Sequence, residues 1–229
     1  MGQKDGPRGK IGLVATTSRG RIDKRQAILD GAFTVFARQG YAQACVQEIA
    51  DEAGVAKPTV YNHLSDKATL FRHAMEAVAQ DELNEGLTVL ESLFEPGEDL
   101  RDVLERVGCD LLRLHRGARS CALRRLLHSE IARFPDMLDV LSRSGPHRLA
   151  QALADRLARL VLVGRLRAED PARMAEQFLA LLTGPMEARS RMGTRWVDDP
   201  ELREVARAAV DTFLWAFGKR EEMDAGKGV

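Results

Sequence analysis

The sequence predicts an all-α protein made of two helical domains. Three observations carry that reading. Apolar residues recur at i, i+3, i+4 and i+7 through most of the chain. The segments marked in this way are separated by strong stop and start signals: Gly54, Glu95-Pro96-Gly97, Ser144-Gly145-Pro146, Asp170-Pro171 and Asp198-Asp199-Pro200. No stretch shows the period-two alternation of a half-buried strand.

Taken in order, residues 1–22 form a basic arm of disordered composition, rich in Gly, Lys, Arg, Thr and Ser. A first helix is expected from about Asp23 to Gln39, with Ile28, Ala32, Val35 and Phe36 on one face. Two short helices then follow within Tyr41–Lys67. The next helix starts after Ser65-Asp66, a good N-cap pair, and carries Leu70, Phe71, Ala74, Met75 and Val78. The first domain therefore spans 23–80, with its boundary near Gln80. In the second domain, 81–220, helices are expected at Asp99–Arg116, Ser120–Phe134, Asp136–Arg143 and His147–Val163. Two more run from Asp170-Pro171 to about Met192 and from Asp198-Asp199-Pro200 to near Lys219. Residues 221–229 are a polar tail.

The segment Tyr41–Lys67 reads YAQACVQEIADEAGVAKPTVYNHLSDK. Ile49, Ala50 and Ala53 make one short stripe, and Gly54 ends it at once. Glycine accepts φ > 0 at low cost, so it suits a helix that must turn sharply. Val55 plugs the angle. Pro58 falls in the first turn of the second helix, where its missing N–H does no harm. Val60 and Leu64 point back at the first helix, which leaves Lys57, Pro58, Thr59, Tyr61, Asn62 and His63 facing outward. This is a helix-turn-helix, a device that lays one helix in the major groove of double-stranded DNA. Lys57 suits guanine acceptors or a phosphate, and Thr59 and Pro58 suit a thymine methyl. Tyr61, His63 and Lys67 suit phosphate oxygens, which set register rather than sequence preference. A helix-Gly-helix corner also occurs in ordinary bundles. Here the outward face carries no acid between Val55 and Ser65, and a basic arm precedes it.

At these residues the chain resembles the N-terminal domain of the TetR family of bacterial transcriptional regulators. The run ILDGAFTVFARQGYAQACVQEIADEAGVAKPTVYNHLSDKATLFRHAM has the family spacing over about fifty residues without a gap. It includes Gly40-Tyr41, Ile49-Ala50, Gly54-Val55, Tyr61, and Lys67 followed by Leu70 and Phe71. There are departures. Ala44 and Cys45 stand where the family usually has Ser or Thr, and a thiol is a poorer cap and phosphate contact than a hydroxyl. Gln47 stands where some members place a base-reading Arg, and Gln reads adenine instead. Leu64 replaces the usual Phe. The second half resembles the AefR-like branch through Glu130, Arg133, Phe134, Pro135, Gly164, Leu166, Asp170-Pro171 and Phe178.

The resemblance implies further sites. The last two long helices carry the stripes Ala175, Phe178, Leu179, Leu182, Met186 and Val205, Ala209, Thr212, Phe213, Ala216, expected to form a homodimer interface. A dimer would double the contacts of one short helix and read a palindromic operator. Leu112, His115, Leu123, Leu127, His128, Phe134, Phe178 and Leu181 are expected to line the pocket of a small-molecule effector. His115 and His128 each read more simply as satisfied or surface residues. Glu130 and Arg133, at i and i+3, read as a helix ion pair.

Composition sets the outer bounds. The formal net charge is zero, so DNA affinity must come from local clustering: Lys4, Arg8, Lys10, Arg19, Arg21, Lys24 and Arg25 face only Asp5 and Asp23. No apolar run approaches the ~20 residues of a membrane span, and no signal core follows the basic N-terminus. Cys45, Cys109 and Cys121 form no CxxC pair and read as free thiols in a reducing compartment, so a cytoplasmic location is expected. No HExxH, GxSxG or GxGxxG appears, and GPRGK lacks P-loop spacing. Neither an enzyme nor a cofactor or metal is expected. The rival readings are a thiol-sensing regulator acting through Cys45 beside the interface and a non-specific DNA-coating protein.

Overall fold

The computed structural model describes residues 13–63, 65–94, 97–191 and 193–219, with side chains from Asp23 onward except that of Phe94. The chain divides into two compact units, 1–74 and 75–229. Within the described residues the regular structure is helical, and the only ladder contact is an isolated bridge between Leu166 and Gly218.

The first unit holds α1 (Leu13–Gln43), α2 (Val46–Glu52), α3 (Lys57–His63) and the start of α4 (Lys67–Glu91). α1 begins at Leu13 rather than Asp23, so residues 13–22 of the expected arm are helical. No proline interrupts that stretch, and its one glycine costs a helix only about 1 kcal/mol. Residues 1–12 and the tail from 220 lie outside the described residues. α1 is kinked at Gly40 (φ 77°), where the sequence placed its end. Ile28, Ala32, Val35 and Phe36 are buried, as their spacing required. Phe36, Tyr41 and Phe71 pack ring on ring with centroids 5.1–5.9 Å apart, tying α1 to α4. Close packing of α2 on α1 depends on Gly31: a Cβ there would lie 3.0 Å from the Ala53 nitrogen.

α4 passes through the division between the units as one continuous helix. The division falls at residue 74 rather than near Gln80, inside a helix that contains no linker.

The second unit continues with a 3-10 turn at Ser92–Phe94, α5 (Leu100–Arg116), α6 (Ala118–Glu130), α7 (Asp136–Ser144), α8 (Pro146–Leu162), α9 (Pro171–Ser190) and α10 (Asp199–Phe217). The caps are those the sequence offered. Asp99 accepts from Arg101 N at 2.8 Å, Asp170 from Ala172 N at 3.0 Å and Asp198 from Glu201 N at 2.9 Å. α6 stops at Glu130 rather than Phe134. Pro135 disfavours helical geometry in the residue before it, and Arg133 and Phe134 turn back onto the Glu130 carbonyl. α5, α8, α9 and α10 enclose one core. In it Phe178 and Phe213 are fully buried and meet edge to face at 5.1 Å. Each such side chain contributes roughly 1.5–3 kcal/mol by leaving water.

Candidate nucleic-acid interface

The turn is built as the residues dictate. Gly54 has φ 64°, and the amide of Val55 closes on the Ala50 carbonyl at 2.9 Å. Ile49, Ala50 and Val60 are buried, and Val55 is half-buried between the helices. The expected inward role of Leu64 lies outside the described residues.

Around α3, Lys57, Pro58, Tyr61 and Asn62 are exposed, while Thr59 and His63 are half-exposed. Tyr61 is 48% exposed, large for an aromatic side chain with no solvent-facing task. α3 carries no carboxylate. Its surface thus offers cationic, hydroxyl, amide and apolar groups to a polyanion and its base edges.

Cys45 behaves differently from its sequence-based expectation. It is the N-cap of α2, in extended geometry, and forms a complete capping box. Its Sγ accepts from Glu48 N at 3.4 Å, and the Glu48 carboxylate accepts from Cys45 N at 3.3 Å. Gln39 donates to the other Glu48 oxygen at 3.2 Å. The Gln39 amide and then the Cys45 backbone hold the Glu48 carboxyl below its ordinary value. The thiol caps because it sits at the N-cap position, where a weak acceptor still finds the free amide; the carboxylate does the rest. Cys45 remains exposed.

Two other expected contacts are already engaged. Gln47 is exposed but donates to Asp51 at 2.9 Å, so bidentate reading of adenine requires that bond to open. Lys67 donates to the Ala42 carbonyl at 3.1 Å and lies 4.7 Å from the Tyr41 ring centre. Its ammonium therefore staples α1 to α4 and has donors left over for a phosphate.

In the second unit the structure separates residues that the sequence grouped. Ala175, Phe178, Leu182, Met186, Val205, Ala209 and Phe213, expected at a dimer interface, are buried inside the chain's own core. Of the ten residues expected there, Thr212, Phe213 and Ala216 also border an open groove. Leu182 lies against Gly108 of α5, and Phe178 and Phe213 meet each other between α9 and α10. Leu179 and Ala216 are half-buried against the same core, and Thr212 is exposed. The outer seam of α9 and α10 lies part of a turn away. A groove of about 380 Å³ runs there, lined by Gln177, Ala180, Leu181, Pro185, Thr212, Phe213, Ala216 and Phe217. Trp215, 71% exposed, lies on the outward side of α10. The sequence reading did not single out Gln177, Ala180 and Pro185. The small residues Ala180, Gly184 and Ala188 at four-residue spacing were the signal available.

The expected effector residues scatter. Leu112 and Phe178 belong to the core, Leu123 and Phe134 are buried, Leu127 is half-buried, and His128 is exposed on α6. Of these residues only Leu181 lines the groove. His115 is a satisfied, half-buried histidine. It meets Glu187 at 3.1 Å, while Arg124 approaches its other ring nitrogen at 3.4 Å and donates to its carbonyl at 2.9 Å. Burial, then the Arg124 charge, lower its pKa to about 4 against the pull of Glu187, so the ring is neutral at neutral pH. Glu130 and Arg133 pair at 3.8 Å as expected. Among the described residues there is no group of three or more side chains suited to a metal, and no helix long and apolar enough to cross a membrane.

Comparison with known proteins agrees with this geometry. Residues 28–74 match the model of bacterial regulatory proteins of the tetR family, and residues 102–219 match the C-terminal domain of AefR-like transcriptional repressors. A repressor from Mycobacterium tuberculosis, Rv1474c, is 28% identical over 185 residues, covering 78% of this chain and 86% of its own. A TetR-family regulator from Mesorhizobium loti superposes with TM-score 0.80 at 26% identity, over 87% of this chain and 98% of its own. The flavonoid-responsive regulator FrrA superposes with TM-score 0.62 at 25% identity, over 86% of this chain and 98% of its own. The exposed acid-free helix, the glycine turn behind it and these two matches lead to one conclusion: the chain belongs to the TetR family and is a DNA-binding transcriptional regulator rather than an enzyme.

Proposed function

We propose that this regulator is a repressor that binds a palindromic operator as a homodimer and is released by a small-molecule effector. The observation that carries the DNA half is α3: Val60 alone is buried, and Lys57, Pro58, Tyr61 and Asn62 are offered outward with no acid among them. One seven-residue helix spans few base pairs. A two-fold pair, with recognition helices about 34–36 Å apart, would read two half-sites. The outer seam of α9 and α10, with its groove and exposed Trp215, supports a second copy as the partner. Release requires an effector that binds the DNA-incompetent shape more tightly than the competent one. The response of FrrA to flavonoids supports an effector for this chain as well.

The test is selection of genomic fragments by the purified protein at ~150 mM salt, where non-specific binding is weak. A retained two-fold palindrome supports the reading. Retention without any shared motif would replace it with a non-specific coating protein.

A further inference from the structure

α1 outruns the body it packs on. Asp23, Lys24, Arg25 and Gln26 are all exposed, and four consecutive residues go once round a helix, so α1 has left the packed body there. The helical backbone nevertheless continues upstream to Leu13, about 15 Å beyond Asp23. A helix without a packed face gains little beyond its propensity, so a lasting overhang needs a partner. Contacts within the unit fix where the overhang leaves. Gly31 lies against Ala53, Arg38 pairs with Glu52 at 3.4 Å, and Gln39 donates to Glu48 at 3.2 Å. Residue numbers rise along α1 as they fall along α2. The N-terminal direction of α1 therefore leads past the Gly54 turn, at the end of the unit where α3 begins with Lys57. In a helix-turn-helix the N-terminal residues of the second helix meet the base edges. The overhang thus leaves from the DNA-facing end.

The sequence of this stretch supplies the chemistry. Thr17, Ser18, Arg21, Lys24 and Arg25 stand at i, i+1, i+4, i+7 and i+8, one stripe of a helix. Hydroxyls and cations of this kind are phosphate donors. Asp23, the one acid between Leu13 and Arg25, falls on the opposite side of the helix, as does Arg19. The stripe runs on into the buried Ile28 and Ala32, so it lies on the side of α1 against which the rest of the unit packs. Neither Lys24 nor Arg25 has an ion-pair or hydrogen-bond partner among the described residues, and neither has Lys57. In the second unit, by contrast, Arg101, Arg113, Arg116, Arg189 and Arg195 are all paired with carboxylates.

We propose that this stripe is a second DNA-contacting element, which grips the phosphate backbone next to the bases that α3 reads. The proposal rests on the DNA-binding reading of the first unit and requires neither a palindrome nor an effector. Phosphate contacts hold every sequence alike, so the stripe adds affinity and salt dependence rather than base preference.

The probes are two fluorescein-labelled duplexes of ~40 bp, one cut from a genomic fragment that the protein retains and one of mixed sequence. Each is titrated with the full-length protein, by anisotropy, between about 50 and 200 mM KCl. Arg21→Gln, Lys24→Gln and Arg25→Gln combined should flatten the slope of log K on log salt by about 0.9 for each phosphate released, or roughly 2–3 per protomer. The same variant should weaken both duplexes by one common factor, at least about tenfold at ~150 mM salt. Lys24 and Arg25 are exposed and glutamine is a good helix former, so the fold should survive. Arg21→Gln alone should flatten the slope by about 0.9, whereas Arg19→Gln, on the opposite side, should leave it unchanged. An unchanged slope in the combined variant overturns the proposal. Equal losses for Arg19→Gln and Arg21→Gln replace the helical stripe with an arm that binds by charge alone. Unequal losses on the two duplexes would make the stripe a reader of bases and defeat its role as a phosphate grip. Wild type that binds neither duplex removes the DNA-binding reading itself, and the stripe with it.

Discussion

α3 and the α9–α10 pair present the same sequence signal and opposite outcomes. Both are amphipathic, and each reads as having one face for a partner. For α3 that reading matches the exposure pattern: Val60 is buried and the polar residues around it are open. For α9 and α10 the stripe expected to meet a second copy is the chain's own core, with Phe178 and Phe213 at 0% exposure. The difference lies in what each apolar stripe has to satisfy. α3 is short, and its only apolar need is met by its immediate neighbour across a tight turn. α9 and α10 are long, touch several helices each, and still keep an outer seam. An apolar stripe shows that a helix has a partner; it does not say which one.

The contrast can be broken most directly at the core. Phe178→Ala should cost about 3–5 kcal/mol, as large-to-small changes at fully buried aromatics do. Leu181→Glu, on the groove, should instead leave the folded monomer intact and weaken self-association. Denaturant midpoints at several protein concentrations, with sedimentation, distinguish the two; a purely concentration-dependent defect in Phe178→Ala would restore the interface reading for that stripe.

His115 extends the comparison to pH. Its folded pKa, about 4, lies below the ordinary 6.5, so its contribution to stability is complete above pH 6.5 and is lost as pH falls toward 4. The loss should reach about 3 kcal/mol across that window, because each pH unit between the two values is worth about 1.4 kcal/mol. Urea midpoints measured from pH 7 to pH 4.5 should show it, and His115→Gln should flatten the slope. An unchanged slope would mean that other groups dominate acid destabilisation.

On the DNA side, Lys57→Ala should cost about 1–3 kcal/mol at the preferred operator and relax base preference, whereas Lys67→Ala should weaken all sequences alike. Lys67→Ala should also lower thermal stability, since it breaks the Ala42 staple. Equal losses on every sequence in both variants would remove the division between reading and positioning.

The smallest effect is expected at Cys45. Cys45→Ser replaces a weak sulfur acceptor with a preferred cap and should stabilise the protein by about 0.5 kcal/mol, with DNA binding retained. A destabilised serine variant would show that packing of the sulfur outweighs its capping.

Much of the DNA-binding unit was legible because its determinants are local. The bend at Gly54 follows from a glycine between two apolar stripes, and the start of α3 from Pro58. The start of α4 follows from Asp66, which accepts from Thr69 N at 2.8 Å. Each is decided within four or five residues. The all-helical class and the caps at Asp99, Asp170 and Asp198 were legible for the same reason. Tertiary structure decided the rest: that Lys67 staples two helices, that His115 is neutral between Arg124 and Glu187, and that Glu82 keeps an oxygen without a donor. Lys67 and Ala42, like His115 and Glu187, lie far apart along the chain and meet only in the fold. The physical reason is the range of the forces involved. Helix propensity, capping and turn chemistry act between neighbours in sequence, whereas burial, charge pairing and the choice among several apolar partners exist only once distant segments have been brought together.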